Sequence, residues 1–347
     1  MIFTEGKMGT SKETRHIQKA DGIETQGPDK VKALVDDILL DYHKGRDIDK
    51  MTVYSQPDQS AVKGIIQKLM RILYPGYYRD SVLKFYNLDS NLTVWIEDVI
   101  YNLNKQIAIV LRYQKEGEEP GAYVCQPLVD RDAAQITMKF MHQIPKIREY
   151  LDTDLDATLE GDPAALNKDE IVLSYPGITA ITVYRIAHEL FLLNVPLIPR
   201  MMTEYAHSIT GIDIHPGASI GKYFFIDHGT GIVIGSTTII GSHVKVYQGV
   251  TLGALSTRGG QKLRGKKRHP TIEDNVTIYS GASILGGNTV IGENSVIGSN
   301  AFITSSIPAN TRVTIKNQEL SIKSGEDGKE EIKSSELHQD STWFYVI

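Results

Sequence analysis

Two stretches of the chain carry side chains able to move a proton. They are IDIHPGASIG, with Asp213 and His215, and FFIDHGTGIVIG, with Asp227 and His228. Asp213 and His228 lie fifteen residues apart. A carboxylate on Nδ1 of an imidazole fixes the tautomer and leaves Nε2 as a general base, and a reference pKa near ~6.5 suits that work at neutral pH. Taken alone, such a pair also reads as a simple contact capping a turn, because His–Asp pairs are common structural features. The single cysteine, Cys125, has no motif partner and fits a small buried hydrophobe better than a nucleophile.

The elements around these residues change character at Gly211. Before it the apolar spacing is helical. Val31, Leu34, Val35, Ile38, Leu39 and Tyr42 repeat at three and four, as do Val62, Ile65, Ile66, Leu69 and Leu73. Trp95, Ile96, Val99, Ile100 and Leu103 begin a further stripe. Ile136, Phe140, Ile144, Ile147 and Leu151 make another, which Pro145 must bend or split. Val183 to Phe191 and Pro199 to Ser208 form a last pair, with Gly211 placed to end it.

After Gly211 the residues Ile214, Ile220, Ile226, Ile232, Thr238, Val244 and Val250, all but one aliphatic, step by six. A companion set, Ile234, Ile240, Val246 and Leu252, runs two residues behind the later members. A six-residue step beside frequent Gly belongs to neither a helix nor an ordinary strand. It predicts a coil of three short strands per turn, a triangular prism with aliphatics inside. A β-sandwich would show turn signals every ~8–12 residues instead. The series breaks at Ala254 and resumes at Ile272, Ile278 and Ile284, then Ile291, Ile297 and Ile303, with one seven-residue step that Val290 would restore to six. The break, ALSTRGGQKLRGKKRH, reads as a loop expelled from one corner. With eighteen residues to a turn, Asp213 and His228 should sit about one coil apart near the same edge.

The expected organisation is a mobile arm over 1–29, a helical domain over 30–210, a left-handed parallel β-helix over 211–315 and a flexible charged tail over 316–347. Beyond Pro308 the period fades, and the tail ends in TWFYVI. Composition sets outer bounds. At 347 residues two domains are expected, and 23% charged with 41% hydrophobic residues is a soluble balance. No apolar run approaches the ~18 residues needed to cross a bilayer, and the first thirty residues lack a secretory h-region. One cysteine rules out an internal disulfide framework and fits the cytoplasm. The net charge of −5 gives no global reason to bind nucleic acid.

In this order on a hexapeptide coil, IDIHPGASIG, DHGTGIVIG, VTLGA and RHPTI resemble the serine O-acetyltransferase family, over roughly Asp162 to Ile307. The resemblance implies transfer of acetyl from acetyl-CoA to L-serine, the first step of cysteine synthesis, with no metal. By that resemblance His228 is the base and Asp213 orients it. Arg268 grips the serine carboxylate, where a planar fork suits a planar anion. Asp227 and Asp162, the latter in GDPAAL, face the ammonium, and His269 lines the pocket. Asp162 equally reads as an N-cap ahead of Pro163. Gly253, Ala254 and Ser280 would lie along the thioester, with Lys267 among the basic residues Lys262, Arg264, Lys266 and Arg268 that read either as a solvated loop or as a clamp for CoA phosphates. Nucleic acid is a poor fit to that loop, since no aromatic platform accompanies it.

The chain departs from the family in the length of the 254–269 loop and in RVTIKNQELSIK, which replaces a GVPA-like close. The resemblance further implies a homotrimer or a dimer of trimers with shared active sites. It also implies docking of Ile347 into O-acetylserine sulfhydrylase. Two alternatives stand beside this: acetyl transfer to another hydroxyl or amine, such as homoserine or a sugar, and a zinc enzyme like the γ-carbonic anhydrases using His215, His228, His243 and His269. The spacing of those histidines lacks the His-rich pattern the second requires. A scaffold that binds a partner through its tail is a third, non-catalytic, possibility.

Overall fold

The computed structural model describes residues 28–46, 48–49, 56–78, 88–118, 125–315, 321–323 and 331–333. The chain forms two compact units, Met1–Val53 and Tyr54–Ile347. In the first lies α1 (Pro28–Tyr42), whose stripe of Val31, Leu34, Val35, Ile38 and Leu39 is exposed.

The second unit begins with α2 (Gln59–Leu73), α3 (Leu88–Glu118), α4 (Gln126–Met141) and α5 (Ile144–Gly161). It continues with α6 (Lys168–Ser174), α7 (Pro176–Leu192) and α8 (Ile198–Thr210). The three-and-four stripes face inward: Val62, Ile65, Ile66, Leu69 and Leu73 are buried, as are Phe140, Ile147 and Leu151. Pro145 splits its stripe by starting a helix. It stands in the first turn of α5, where a missing N–H costs nothing. The seven residues of α6 are too few to show a period, but a reciprocal cap marks its start. Asn167 accepts from the Glu170 amide at 2.9 Å, and Glu170 accepts from the Leu166 amide at 2.8 Å. Gly211 ends α8 in the left-handed conformation, φ 71°.

From Asp213 the chain winds a parallel β-solenoid of about five turns with three faces. The first face stacks Asp213–Ile214, Val233–Ile234, Thr251–Gly253, Ser283–Leu285 and Phe302–Ile303. The second stacks Ser219–Ile220, Ile239–Ile240, Thr271–Ile272 and Val290–Ile291. The third stacks Phe225–Asp227, Lys245–Tyr247, Thr277–Ile278, Val296–Ile297 and Arg312–Val313.

Register corrects the phase of the repeat. Ile214 pairs with Ile234, Ile220 with Ile240 and Ile226 with Val246, so the first turn takes twenty residues rather than eighteen. The companion set is therefore the true continuation of Ile214, Ile220 and Ile226. Ile232, Thr238, Val244 and Val250 continue another buried series, Ile212, Ala218 and Phe224, at the corners. Two residues are inserted where the third face turns into the first, at His228–Gly231, and an unbroken six conceals them. At the seven-residue step Ile291 is the inward residue, paired with Ile272, and Gly286 at φ 110° absorbs the extra length. The basic segment leaves the coil between Gly253 and Thr271, as expected of an expelled loop, and contains a 3-10 turn at Gly260–Leu263. Within the expected tail, Ser321–Lys323 and Glu331–Lys333 pair antiparallel, with Ile322 opposite Ile332.

A buried ion pair ties helices to coil. Asp154 of α5 accepts from Arg185 of α7 at 3.0 and 2.9 Å and from the Phe224 amide at 2.9 Å. Arg185 also donates to the carbonyls of Ile220 and Gly221, both at 2.7 Å. Every charge taken from water there has a partner, the condition for tolerating a buried pair. Two glycines then let the helices press on the third face. A Cβ on Gly161 would lie 2.6 Å from the Phe225 ring, and one on Gly177 would lie 2.7 Å from the Ile226 carbonyl oxygen. These close approaches bring the end of α5 and the start of α7 against Asp227.

Candidate active site

The inserted residues shape the edge between the third and first faces. His228 at φ 55°, Gly229 at φ 82° and Gly231 at φ 83° take a backbone path that L side chains rarely adopt. His228 stands out from the coil with its side chain 53% exposed, and its Nδ1 lies 3.6 Å from Asp227 Oδ1. The carboxyl of Asp227 is pushed up by burial; the charge on His228 opposes that and the charge on Asp162 adds to it. Asp162 is the C-cap of α5 rather than the N-cap of a following helix. Its Oδ1 accepts from the Ala164 amide at 2.8 Å and its Oδ2 from the Tyr175 hydroxyl at 2.6 Å. That bond first, then burial and the charge on Asp162, push the phenol of Tyr175 up to about 12. Buried Tyr247 completes the group, stacked on Tyr279 at 5.1 Å, its phenol raised by burial and then by Asp227. Neither Asp162 nor Asp227 pairs with a lysine or arginine among the described residues.

The edge between the first and second faces carries a different chemistry. Arg268 donates to Ser236 Oγ at 2.7 Å and to the Leu263 carbonyl at 3.2 Å. His269 is buried, its ring flat over Gly235, where a Cβ would come within 2.1 Å. Burial first, then the charges of Arg268 and Lys267, bring its pKa down to about 4. His215 shares this edge. Its Nδ1 accepts from the Gly217 amide at 3.0 Å, and burial and Arg200 bring it to about 4 as well. Both imidazoles are neutral at pH 7.

The remaining candidates fall on both edges. Gly253 and Ala254 lie where the long loop departs, whereas Ser280, 3.2 Å from Ser299 Oγ, lies on the edge of His228. Lys267 Nζ donates to the carbonyls of Thr237 at 2.7 Å, His269 at 2.5 Å and Pro270 at 3.1 Å. An ammonium has three donors, and here all three meet backbone carbonyls at the corner where the loop rejoins the coil. Within one chain no hydrogen bond joins Asp213 to His228; Asp213 Oδ1 lies 3.3 Å from Arg200 Nη1 on α8. Glu204, His207 and Asp213 converge there closely enough to be metal ligands in principle. The four histidines weighed for zinc are spread over three edges, with His243 stacked on Tyr223 at 4.2 Å. Cys125 precedes α4 as a half-buried free thiol. Ile347 lies outside the described residues. No described helix is long and apolar enough to cross a membrane.

Sequence reasoning missed Ser236, Thr237, Tyr175 and Arg200. A polar dipeptide at a coil corner looks like any other corner, and only Tyr-Pro at a helix start offered a signal for Tyr175.

A parallel β-solenoid behind a helical layer, with a histidine and carboxylates on one edge and an arginine on another, defines the hexapeptide-repeat acyltransferase class. No family model matches the chain. A plasmid-encoded serine acetyltransferase of Synechococcus elongatus is 42% identical over 204 residues, 58% of this chain and 63% of that protein. A serine acetyltransferase of Helicobacter pylori is 49% identical over 121 residues, 35% of this chain and 67% of that protein. Several other curated relatives are spanned over less of their length, for example 45% of a Synechocystis serine acetyltransferase. Among solved structures, serine acetyltransferase 1 of Entamoeba histolytica in complex with L-cysteine matches with a TM-score of 0.62 at 33% identity. The match covers 82% of this chain and 98% of that one. The chain belongs to the serine acetyltransferase family.

Proposed function

We propose that the protein transfers the acetyl group of acetyl-CoA to the hydroxyl of L-serine, giving O-acetyl-L-serine and CoA. One observation carries the choice of acceptor. Asp162 and Asp227 are held close enough for the charge of Asp162 to raise the carboxyl of Asp227, beside His228, with no lysine or arginine among the described residues paired to either. Like charges at one site favour a cationic guest, and the ammonium of an amino acid supplies it. Arg268 and neutral His269 offer the complementary grip for a carboxylate. The cysteine bound by the Entamoeba relative is an amino acid of the same shape and supports this choice over a sugar.

In the reaction, His228 Nε2 takes the proton of the serine hydroxyl as that oxygen attacks the thioester carbonyl carbon. The tetrahedral adduct collapses, the carbon–sulfur bond breaks, and the imidazolium returns the proton to the departing thiolate. Asp227 and Asp162 hold the ammonium; Asp213 orients the imidazole once it turns from Arg200. Acetyl-CoA lies along Gly253 and Ala254, with Lys262, Arg264 and Lys266 left to meet its phosphates.

The two grips occupy different edges of one prism, with the first face between them. We infer a homotrimer in which the His228 edge of one chain meets the Arg268 edge of the next. Release of CoA thiol from acetyl-CoA, measured against a panel of amino acids, homoserine and amino sugars, tests the assignment. Serine should stand out, and His228→Ala should lower turnover by roughly 10²–10⁴-fold. A preference for an acceptor without a carboxylate would overturn it.

A further inference from the structure

His269 and Arg268 are held by a neighbour that the reaction as described does not use. Thr237 lies at the corner where the first face turns into the second, directly after Ser236. Its backbone N–H donates to His269 Nδ1 at 3.1 Å, and its hydroxyl reaches the same nitrogen at 2.9 Å. Its hydroxyl oxygen also accepts from the amides of Arg268 at 3.0 Å and His269 at 3.1 Å. A hydroxyl has one proton to give and two lone pairs to offer, so Thr237 Oγ1 is fully used. The result is a closed knot between one corner residue and the dipeptide where the long loop rejoins the coil.

The knot fixes a protonation pattern. A backbone N–H can only donate, so Nδ1 must carry a lone pair and the ring proton must sit on Nε2. Neutral His269 is thereby a donor at Nε2. A carboxylate, or the oxygen of a thioester as it gains charge, needs a donor and would be repelled by a lone pair. The same hydroxyl holds the Arg268 amide while Ser236 holds the Arg268 guanidinium, so one dipeptide, Ser236–Thr237, sets both cationic and neutral donors of this edge. Lys267 closes the knot from behind through the Thr237 carbonyl.

We propose that Thr237 is the positioning residue for the carboxylate side of the site, holding His269 as the Nε2–H tautomer and seating Arg268 through its amide. This rests on the proposed amino-acid acceptor, but half of its test does not. Thr237→Val keeps the shape and removes the hydroxyl; Thr237→Ser restores it. In ¹⁵N-histidine spectra of the full chain, wild type and Thr237→Ser should show His269 as a single Nε2–H tautomer that stays neutral well below pH 6. Thr237→Val keeps the backbone N–H on Nδ1 and so should keep the tautomer, but the Arg268 and His269 amides lose their acceptor and should shift and exchange faster with solvent. In steady-state assays Thr237→Val should raise the serine KM by about tenfold, the scale of one lost hydrogen bond to an ionic ligand, with a smaller change in kcat and in the KM for acetyl-CoA. Thr237→Ser should recover most of that. His269 found as the Nδ1–H tautomer in the wild type, or unchanged Arg268 and His269 amide signals in Thr237→Val, overturns the proposal whatever the acceptor. Failure of the wild type to use serine would overturn the functional assignment while leaving the tautomer result to be judged on its own.

Discussion

At the scale of single residues, the pair Asp162 and Asp227 makes a pH-dependent prediction whose sign can be worked out. Asp227 must be ionised to hold an ammonium. Burial raises its carboxyl above the ordinary carboxylate value near ~3.9, and Asp162 raises it further, while His228 partly offsets both. Protonation therefore begins at a higher pH than for a free aspartate, and the serine KM should rise as pH falls into that elevated range. Asp162→Asn removes a negative neighbour, so Asp227 holds its proton less tightly. The variant should bind serine more weakly at neutral pH, yet its acid limb should move to lower pH. A plot of serine KM against pH for both proteins measures this, and an acid limb at the same pH in both would mean the two carboxylates do not sense each other. The titratable chemistry was partly legible in the sequence. Asp227 and His228 stood out because a plain coil wants small polar residues there, whereas Asp162, Arg268 and His269 were marked only by the resemblance to the serine O-acetyltransferase family. Thr237 and Ser236 did not stand out, because a threonine at a corner is what a coil normally has, and its partners lie some thirty residues further on.

At the scale of elements, the candidate site depends on how closely the helices approach the third face. Gly177 opens α7 with its Cα against the Ile226 carbonyl, at a place where a methyl would lie 2.7 Å from that oxygen. Backbone cannot yield as a flexible side chain can. Gly177→Ala should therefore lift the start of α7, shift Tyr175 away from Asp162 and cost about 1–3 kcal/mol of stability. Thermal unfolding should show the loss, and the serine KM should rise in the folded fraction. Full stability in Gly177→Ala would mean that the contact relaxes without consequence. The helices and the coil were readable because both periods are long and regular. The phase was not. The strict step of six from Ile214 to Val250 crosses from one inward series to another at His228–Gly231, and apolar residues fill both series, so no break appears. Backbone register alone exposes the two inserted residues, and they are the ones that carry the histidine outward.

At the scale of the whole molecule, the separation of the two grips is the feature that asks most of the assembly. His228, Asp227 and Asp162 gather at one edge; Arg268, His269 and Thr237 gather at another, and one face of the prism lies between. A serine molecule, a few ångströms long, does not span a face and also meet both sets of donors. If the edges of neighbouring chains complete one site, each site takes its base from one chain and its arginine from the next. His228→Ala and Arg268→Ala would then be inactive for different reasons, and each mutant chain keeps the edge that the other has lost. Unfolding and refolding an equal mixture should scatter the two chain types at random through the trimers. A site works only where an Arg268→Ala chain supplies the histidine edge and a His228→Ala chain supplies the arginine edge, a chance of one half twice over, so roughly a quarter of wild-type activity should return. Mixing the proteins without refolding should return less, to the extent that chains exchange slowly between trimers. A site contained within one chain gives the opposite result: every chain in the mixture has a broken site, and no recovery is possible at any ratio. The assay is the same thiol release from acetyl-CoA in the presence of serine, measured before and after refolding against each mutant treated alone.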